Sequence, residues 1–117
     1  MTIANSKLYG EPFARVEVER RLALTAGWRL PTATEQDEFL KHRRLSKIAD
    51  WLIAAADVGQ ESWLLLERTW SGFPDPPPFA FVVYRSDGER ICEADLDQPS
   101  PVWRLPDGVP FKYSPEA

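Results

Sequence analysis

The sequence predicts an α+β fold: two N-terminal helices packed on one face of a three- to four-stranded antiparallel meander, with a proline-rich C-terminal tail. Three observations carry this. Apolar residues recur at helical spacing through the first half of the chain. From residue 61 onward, runs of large apolar residues bounded by glycines take over. The pair Asp87-Gly88 then separates two such runs, and Asp-Gly between alternating apolar residues is the strongest short hairpin signal. Helices first and strands after is the α+β order. At 117 residues, one domain over 1–117 is expected.

Residues 1–11 are polar and unpatterned. Pro12 suits the first turn of a helix that runs to about Ala26, with Gly27 as its stop. Ala14, Val18, Leu22 and Ala26 form an apolar stripe, and Glu17 and Arg21 pair at i,i+4. The competing pattern is a strand, because Ala14, Val16 and Val18 alternate with Arg15, Glu17 and Glu19. The helix is preferred. A second helix opens at Thr32, whose spacing to Glu35 is that of a capping box. Glu35, Asp37 and Glu38 favour the positive end of its dipole. Leu45, Ile48, Ala49, Leu52 and Ala56 share one face, and Gly59 ends the helix. Asp37 with Lys41 and Glu38 with His42 are further i,i+4 pairs.

Strands follow at Glu61–Trp70, Phe79–Ser86 and Glu89–Leu96, with a weak fourth at Val102–Leu105. A two-residue loop at Asp87-Gly88 sets Phe79 opposite Leu96, Phe81 opposite Ala94 and Val83 opposite Cys92, giving one apolar face. It also sets Arg85 opposite Arg90, so the end of this hairpin is expected to be less regular. Ala80, Val82, Tyr84, Ile91, Glu93 and Asp95 fall on the other face, where Trp63, Leu65 and Glu67 join if the first strand packs alongside. The stretch 73–78 and the tail from Pro99 are proline-rich and suit connections rather than strands.

Trp-Arg-Leu-Pro occurs twice, at 28–31 and 103–106, in unlike surroundings. This reads as coincidence or as two similar chain exits. Gly27-Trp28-Arg29-Leu30-Pro31-Thr32, followed by Glu35, resembles the Arg-Leu-Pro-Thr signature of formylglycine-generating-type domains, which have a C-type-lectin-like fold. The resemblance spans residues 27–35, the aromatic-rich continuation of that family is missing, and no function is carried over.

Five tryptophans stand against one histidine, His42, and one cysteine, Cys92. Large aromatic surface is plentiful and the usual catalytic groups are scarce, which favours recognition over chemistry. The net charge of −4 disfavours nucleic acid. A lone cysteine cannot form an internal disulfide. Residues 1–10 lack the apolar run of a signal peptide, and the longest apolar run, Trp51–Ala56, is far short of a membrane span. A cytoplasmic protein without cofactor, metal or membrane association is therefore expected. No phosphate loop, dinucleotide fingerprint, nucleophile elbow or zinc spacing occurs.

Two surfaces compete. On an ideal wheel of the second helix, Leu40, Arg44, Lys47 and Trp51 line one flank, a basic strip with an aromatic that suits an acidic partner. The bland reading is a solvated flank with Trp51 rimming the core. The second surface is the sheet face with Trp63, Tyr84, Glu93 and Asp95. Its bland reading is a face covered by the tail through Trp103 and Phe111. Glu93 and Asp95 alone are a weak metal signal. A Cys92–His42 dyad is disfavoured, because Cys92 is expected to be buried and His42 sits among Lys41, Arg43 and Arg44. The expected function is a noncatalytic protein-binding module (a small regulator, inhibitor or adaptor) whose partner is another protein, with a second copy of the chain as a further candidate. The alternative is a small enzyme or small-molecule binder that uses the sheet face or a Trp-lined pocket.

Overall fold

A computed structural model describes residues 12–69 and 77–109. It contains helices α1 (Pro12–Leu22), α2 (Ala33–Lys41) and α3 (Leu45–Ile48), then strands β1 (Trp51–Val58), β2 (Glu61–Glu67), β3 (Phe79–Arg85) and β4 (Arg90–Leu96). The strands form one antiparallel sheet in the order β1-β2-β3-β4. The α+β antiparallel meander is as expected, but its fourth strand is β1: the strand expected at Val102–Leu105 is absent, and among the described residues that stretch makes only the isolated bridge of Arg104 with Gly27. Among the described residues no helix is long and apolar enough to cross a membrane. Trp70, Pro74, Pro76, Phe111 and the prolines from Pro110 on lie outside the described residues.

α1 ends at Leu22, short of the expected Ala26, because residues 26–29 leave it to pair elsewhere. Arg21 Nη1 reaches Glu17 Oε1 at 2.6 Å, the expected i,i+4 pair. The capping box of α2 is complete: Glu35 N–H donates to Thr32 Oγ1 at 3.0 Å, and Thr32 N–H donates to Glu35 Oε1 at 2.9 Å.

The second helix does not continue to Gly59. α2 stops at Lys41, α3 adds one short turn, and residues 51–58 are a strand. Leu52–Ala56 are buried without a break, and a strand covered on both faces shows no alternation in its sequence. A bulge at Ile53 adds to the disguise. Leu52 pairs with Leu66, but Ala54 already pairs with Leu65. Gly59, with φ 62°, serves the β1–β2 turn rather than a helix end.

The β3–β4 register is the one expected: Phe79 with Leu96, Phe81 with Ala94 and Val83 with Cys92. Its end differs: Gly88 N–H donates to Arg85 O and Arg85 N–H to Glu89 O, both at 2.8 Å, so the loop is Ser86-Asp87-Gly88 rather than Asp87-Gly88, and Arg85 faces Glu89 instead of Arg90. The register slips after Val83, and Tyr84 pairs with Arg90. The slip turns Ile91 toward the Phe81 side rather than beside Glu93. Gly88 has φ 91°, and a Cβ there would meet nothing within 4 Å. The cost of a side chain is therefore conformational. Gly88→Val is expected to lower stability by about 1 kcal/mol or more, and Gly88→Asn by less. A wild-type urea midpoint for the valine variant would count against the turn.

Helices cover both faces of the sheet, not one. Val18 and Leu22 of α1 pack with Trp28 and Trp103 over Trp63, Phe81 and Cys92. Phe39 of α2, with Leu45 and Ile48 of α3, packs over Leu52, Leu66, Ala80 and Val82. The segment between α1 and α2 makes this division, since its Arg29 pairs with Ala55 at the edge of β1 as the chain passes from one face to the other.

The outer edge of β1 is closed by two devices. The Gln36 side chain acts as a surrogate strand: its Nε2 donates to Leu52 O at 2.9 Å and its Oε1 accepts from Leu52 N–H at 3.2 Å. Arg29 exchanges both backbone hydrogen bonds with Ala55, at 2.8 and 2.9 Å. Both shield a sheet edge that would otherwise offer free donors and acceptors. Outside Arg29 lies the second Trp-Arg-Leu-Pro copy. Trp28 N–H donates to Arg104 O at 3.0 Å and Arg104 N–H to Ala26 O at 2.9 Å, so the two copies run parallel.

Candidate functional site in a groove between α2 and the sheet

The structure disperses the predicted helix flank. Leu40 is 54% exposed on α2, Lys47 is exposed on α3, and Trp51 is 38% exposed at the start of β1. Arg44 points to the sheet, where its Nη2 meets Glu93 Oε1 at 2.5 Å. The strip required one unbroken helix, and the chain turns at His42 and again before β1. No single face carries the four residues.

The alternative sheet face is also revised. Trp63 is fully buried on the opposite side from Glu93, packed with Phe81 and Leu65. Tyr84, Glu93 and Asp95 do share a face, beneath α2 and α3. Glu93 is 3% exposed and is held by Arg44 and Arg90. Asp95 accepts from Arg68 Nη2 at 2.8 Å, while Arg68 Nε donates to Ile48 O at 2.6 Å. These carboxylates neutralise arginines that tie α3 to the sheet. The cover on this face is α2 and α3, since Trp103 packs on the other side. Three of the five tryptophans, Trp28, Trp63 and Trp103, are core.

Cys92 lies in the Trp63 core, and burial pushes its thiol up to about 11. His42 belongs to the opposite side of the sheet, so no Cys92–His42 dyad exists. Among the described residues no group of three His, Cys, Asp or Glu could hold a metal ion.

What the sequence did not reveal is a groove of about 350 Å³ between α2 and the sheet. Phe39, Leu52, Leu64 and Tyr84 form its apolar floor, and Glu35, Glu38 and His42 stand at its rim. Phe39 is the buried residue of α2 and anchors the helix against Leu52 and Leu66. The groove exists because α2 ends at Lys41 and β1 returns beneath it. The capping box was its one visible signal, since it fixes where α2 begins.

The rim is built from hydrogen bonds. Arg29 grips Glu35 with both ends of its guanidinium, at 2.7 Å each, and this fork first and Thr32 second hold the Glu35 carboxyl down at about 2. Burial raises the Tyr84 phenol, so it stays protonated at neutral pH. His42 closes α2, with its N–H donating to Phe39 O at 3.0 Å. Its Nδ1 accepts from the backbone N–H of Arg44 at 3.2 Å and of Leu45 at 3.0 Å. The nitrogen that could serve as a base is thus occupied. The groove can bind, but it lacks a nucleophile with a free base beside it.

A second cleft of about 360 Å³ lies between the end of α1 and the β1–β2 turn, with Arg20, Arg21 and Arg85 on its walls. Each is already matched: Arg20 and Arg21 by Glu17, Arg21 by Glu61, and Arg85 by Asp87 and Glu89. That balance leaves no net field for an anion. Comparison with known protein families, with curated proteins and with solved structures finds no match for this chain.

Proposed function

We propose that the protein is a noncatalytic binding module, and that the groove between α2 and the sheet takes an apolar side chain of a partner protein flanked by Lys or Arg. The observation that carries this is the charge of the rim. The apolar floor is bordered by the Glu38 carboxylate, with no lysine or arginine in the lining, while Glu35 beside it is matched by Arg29 from outside the groove. The net charge of −4 has the same sign. A volume near the lower end of ligand sites suits one side chain better than a cofactor. Complementary charge sets the choice and rate of partner, and the apolar floor supplies the affinity.

The test is an NMR titration of the full chain with two peptides, N-acetyl-Lys-Leu-Lys-amide and N-acetyl-Glu-Leu-Glu-amide. The first is expected to shift Phe39, Leu64 and Tyr84, less so at high salt. The second should leave them unmoved. Equal response to both peptides, or shifts that avoid these residues, would sink the reading. Strong response to an uncharged apolar compound alone would favour the small-molecule alternative.

A further inference from the structure

We infer that His42 is locked as the Nε2–H tautomer and is the specificity-determining residue of the groove, selecting an occupant that carries a carbonyl oxygen beside its apolar group. This rests on the groove being the binding site. A neutral imidazole has one N–H, and a nitrogen that accepts a hydrogen bond cannot hold it. Nδ1 accepts from two backbone N–H groups, those of Arg44 and Leu45. Backbone N–H groups cannot reverse their role, so the chain itself assigns the tautomer. The proton is left on Nε2, on the ring edge away from α3. Among the described residues nothing accepts from it. The ring rests at 6.2 Å from the Tyr84 ring at the groove wall.

A fixed donor at an apolar site discriminates by chemistry. A ligand carbonyl replaces the water on Nε2–H, whereas a hydrocarbon strips that water and leaves the donor unpaired. The same geometry makes the site sensitive to acid. Protonation places a hydrogen on Nδ1 against the two N–H donors, with the Arg44 guanidinium close by. Of the groups around the ring, Glu38 lies one turn back on α2 and Tyr84 faces it from β3. Arg90 and Glu93 of β4 stand beyond, with Glu93 already matched by Arg44 and Arg90. Burial first and Arg44 second hold His42 below its ordinary value. A folded-state value below the unfolded one means that the cap is intact above about pH 6.5 and is lost as the pH falls through the lower folded value. Affinity should follow the same course.

The experiment uses the full chain labelled with nitrogen-15 histidine. At pH 7.5 a long-range proton–nitrogen spectrum should show Nδ1 bare and Nε2 protonated. Acetophenone and ethylbenzene are then titrated against the wild type and His42→Asp. In that variant the side-chain carboxylate can still accept from the N–H groups two and three residues on, but being ionised at pH 7.5 it presents no donor to the groove. The preference for acetophenone over ethylbenzene is expected to drop about tenfold in the variant, and acetophenone affinity in the wild type to fall as the pH drops through the folded-state value of His42, which lies below its ordinary one. A proton on Nδ1, or an unchanged preference, overturns the inference and leaves the peptide result standing. Binding of neither compound overturns it too, and the peptide titration then decides whether the groove reading falls with it. If His42→Asp does not fold, the tautomer spectrum and the wild-type pH series decide alone.

Discussion

Trp103→Ala is expected to cost about 3–5 kcal/mol of folding free energy, the cost of emptying a buried large aromatic site. Trp103 belongs to no strand or helix, yet it is 6% exposed. Its ring lies 4.9 Å from both Trp28 and Phe81 and 6.3 Å from Trp63. Its Nε1 donates to Arg21 O at 3.2 Å, which satisfies a carbonyl in the last turn of α1. Urea unfolding followed at constant slope measures the loss. Trp51→Ala, at a side chain 38% exposed, should cost well under half as much. If the two variants unfold at the same midpoint, the four-ring cluster is not what holds the core.

Arg21→Ala is the second large effect, at about 3–5 kcal/mol. The Arg21 side chain is 5% exposed and its fork is saturated: Nε and Nη2 reach the two oxygens of Glu61 at 3.0 and 2.6 Å, and Nη1 reaches Glu17. Glu61 also accepts from Trp63 Nε1 at 2.9 Å. Among the described residues, removing the cation leaves the partly buried Glu61 with no cation and only the Trp63 N–H, and Glu17 with Arg20 alone. Arg21→Lys should not rescue, because an ammonium cannot match both oxygens. The pH profile supplies a second readout. Arg21 is the leading cause that holds Glu17 and Glu61 below the usual carboxylate range. Their folded values lie below the unfolded one, so the stabilisation is full above about pH 4.3 and is lost as the pH falls through the folded values. In Arg21→Ala that acid dependence should flatten. A wild-type profile would assign the acid sensitivity to other groups.

The parts of the fold legible in the sequence are those set by local chemistry. Asp87-Gly88 marked the β3–β4 hairpin, but the loop is Ser86-Asp87-Gly88, and the register expected from a two-residue loop is recovered only because the bulge at Ile91 offsets the extra loop residue. Thr32 and Glu35 located the start of α2 because the capping box is a contact within one turn. β1 escaped for a physical reason. Leu45, Ile48, Ala49, Leu52 and Ala56 do fall at helical spacing, and the residues that would have shown a period of two are apolar on both faces. The bulge at Ile53 then removed any remaining alternation. Trp63 lies on the face opposite to the one expected because the β2–β3 register depends on a long connection, not on a tight turn. The groove followed β1 out of view. It forms only where α2 and the returning strand overlap, and no segment carries its signature alone.

The pairing of the two Trp-Arg-Leu-Pro copies bears on the order in which the chain acquires its structure. The bond between Arg104 and the 26–28 segment joins residues that are remote along the chain, and contacts of that kind are slow to form. A nascent chain that has emerged only through Leu96 already holds all four strands, but lacks the indole that seals one side of them. Until residue 103 leaves the ribosome, Trp28, Trp63 and Phe81 remain an open apolar surface within reach of chaperones. Completion of the core thereby waits on residues that follow the last strand.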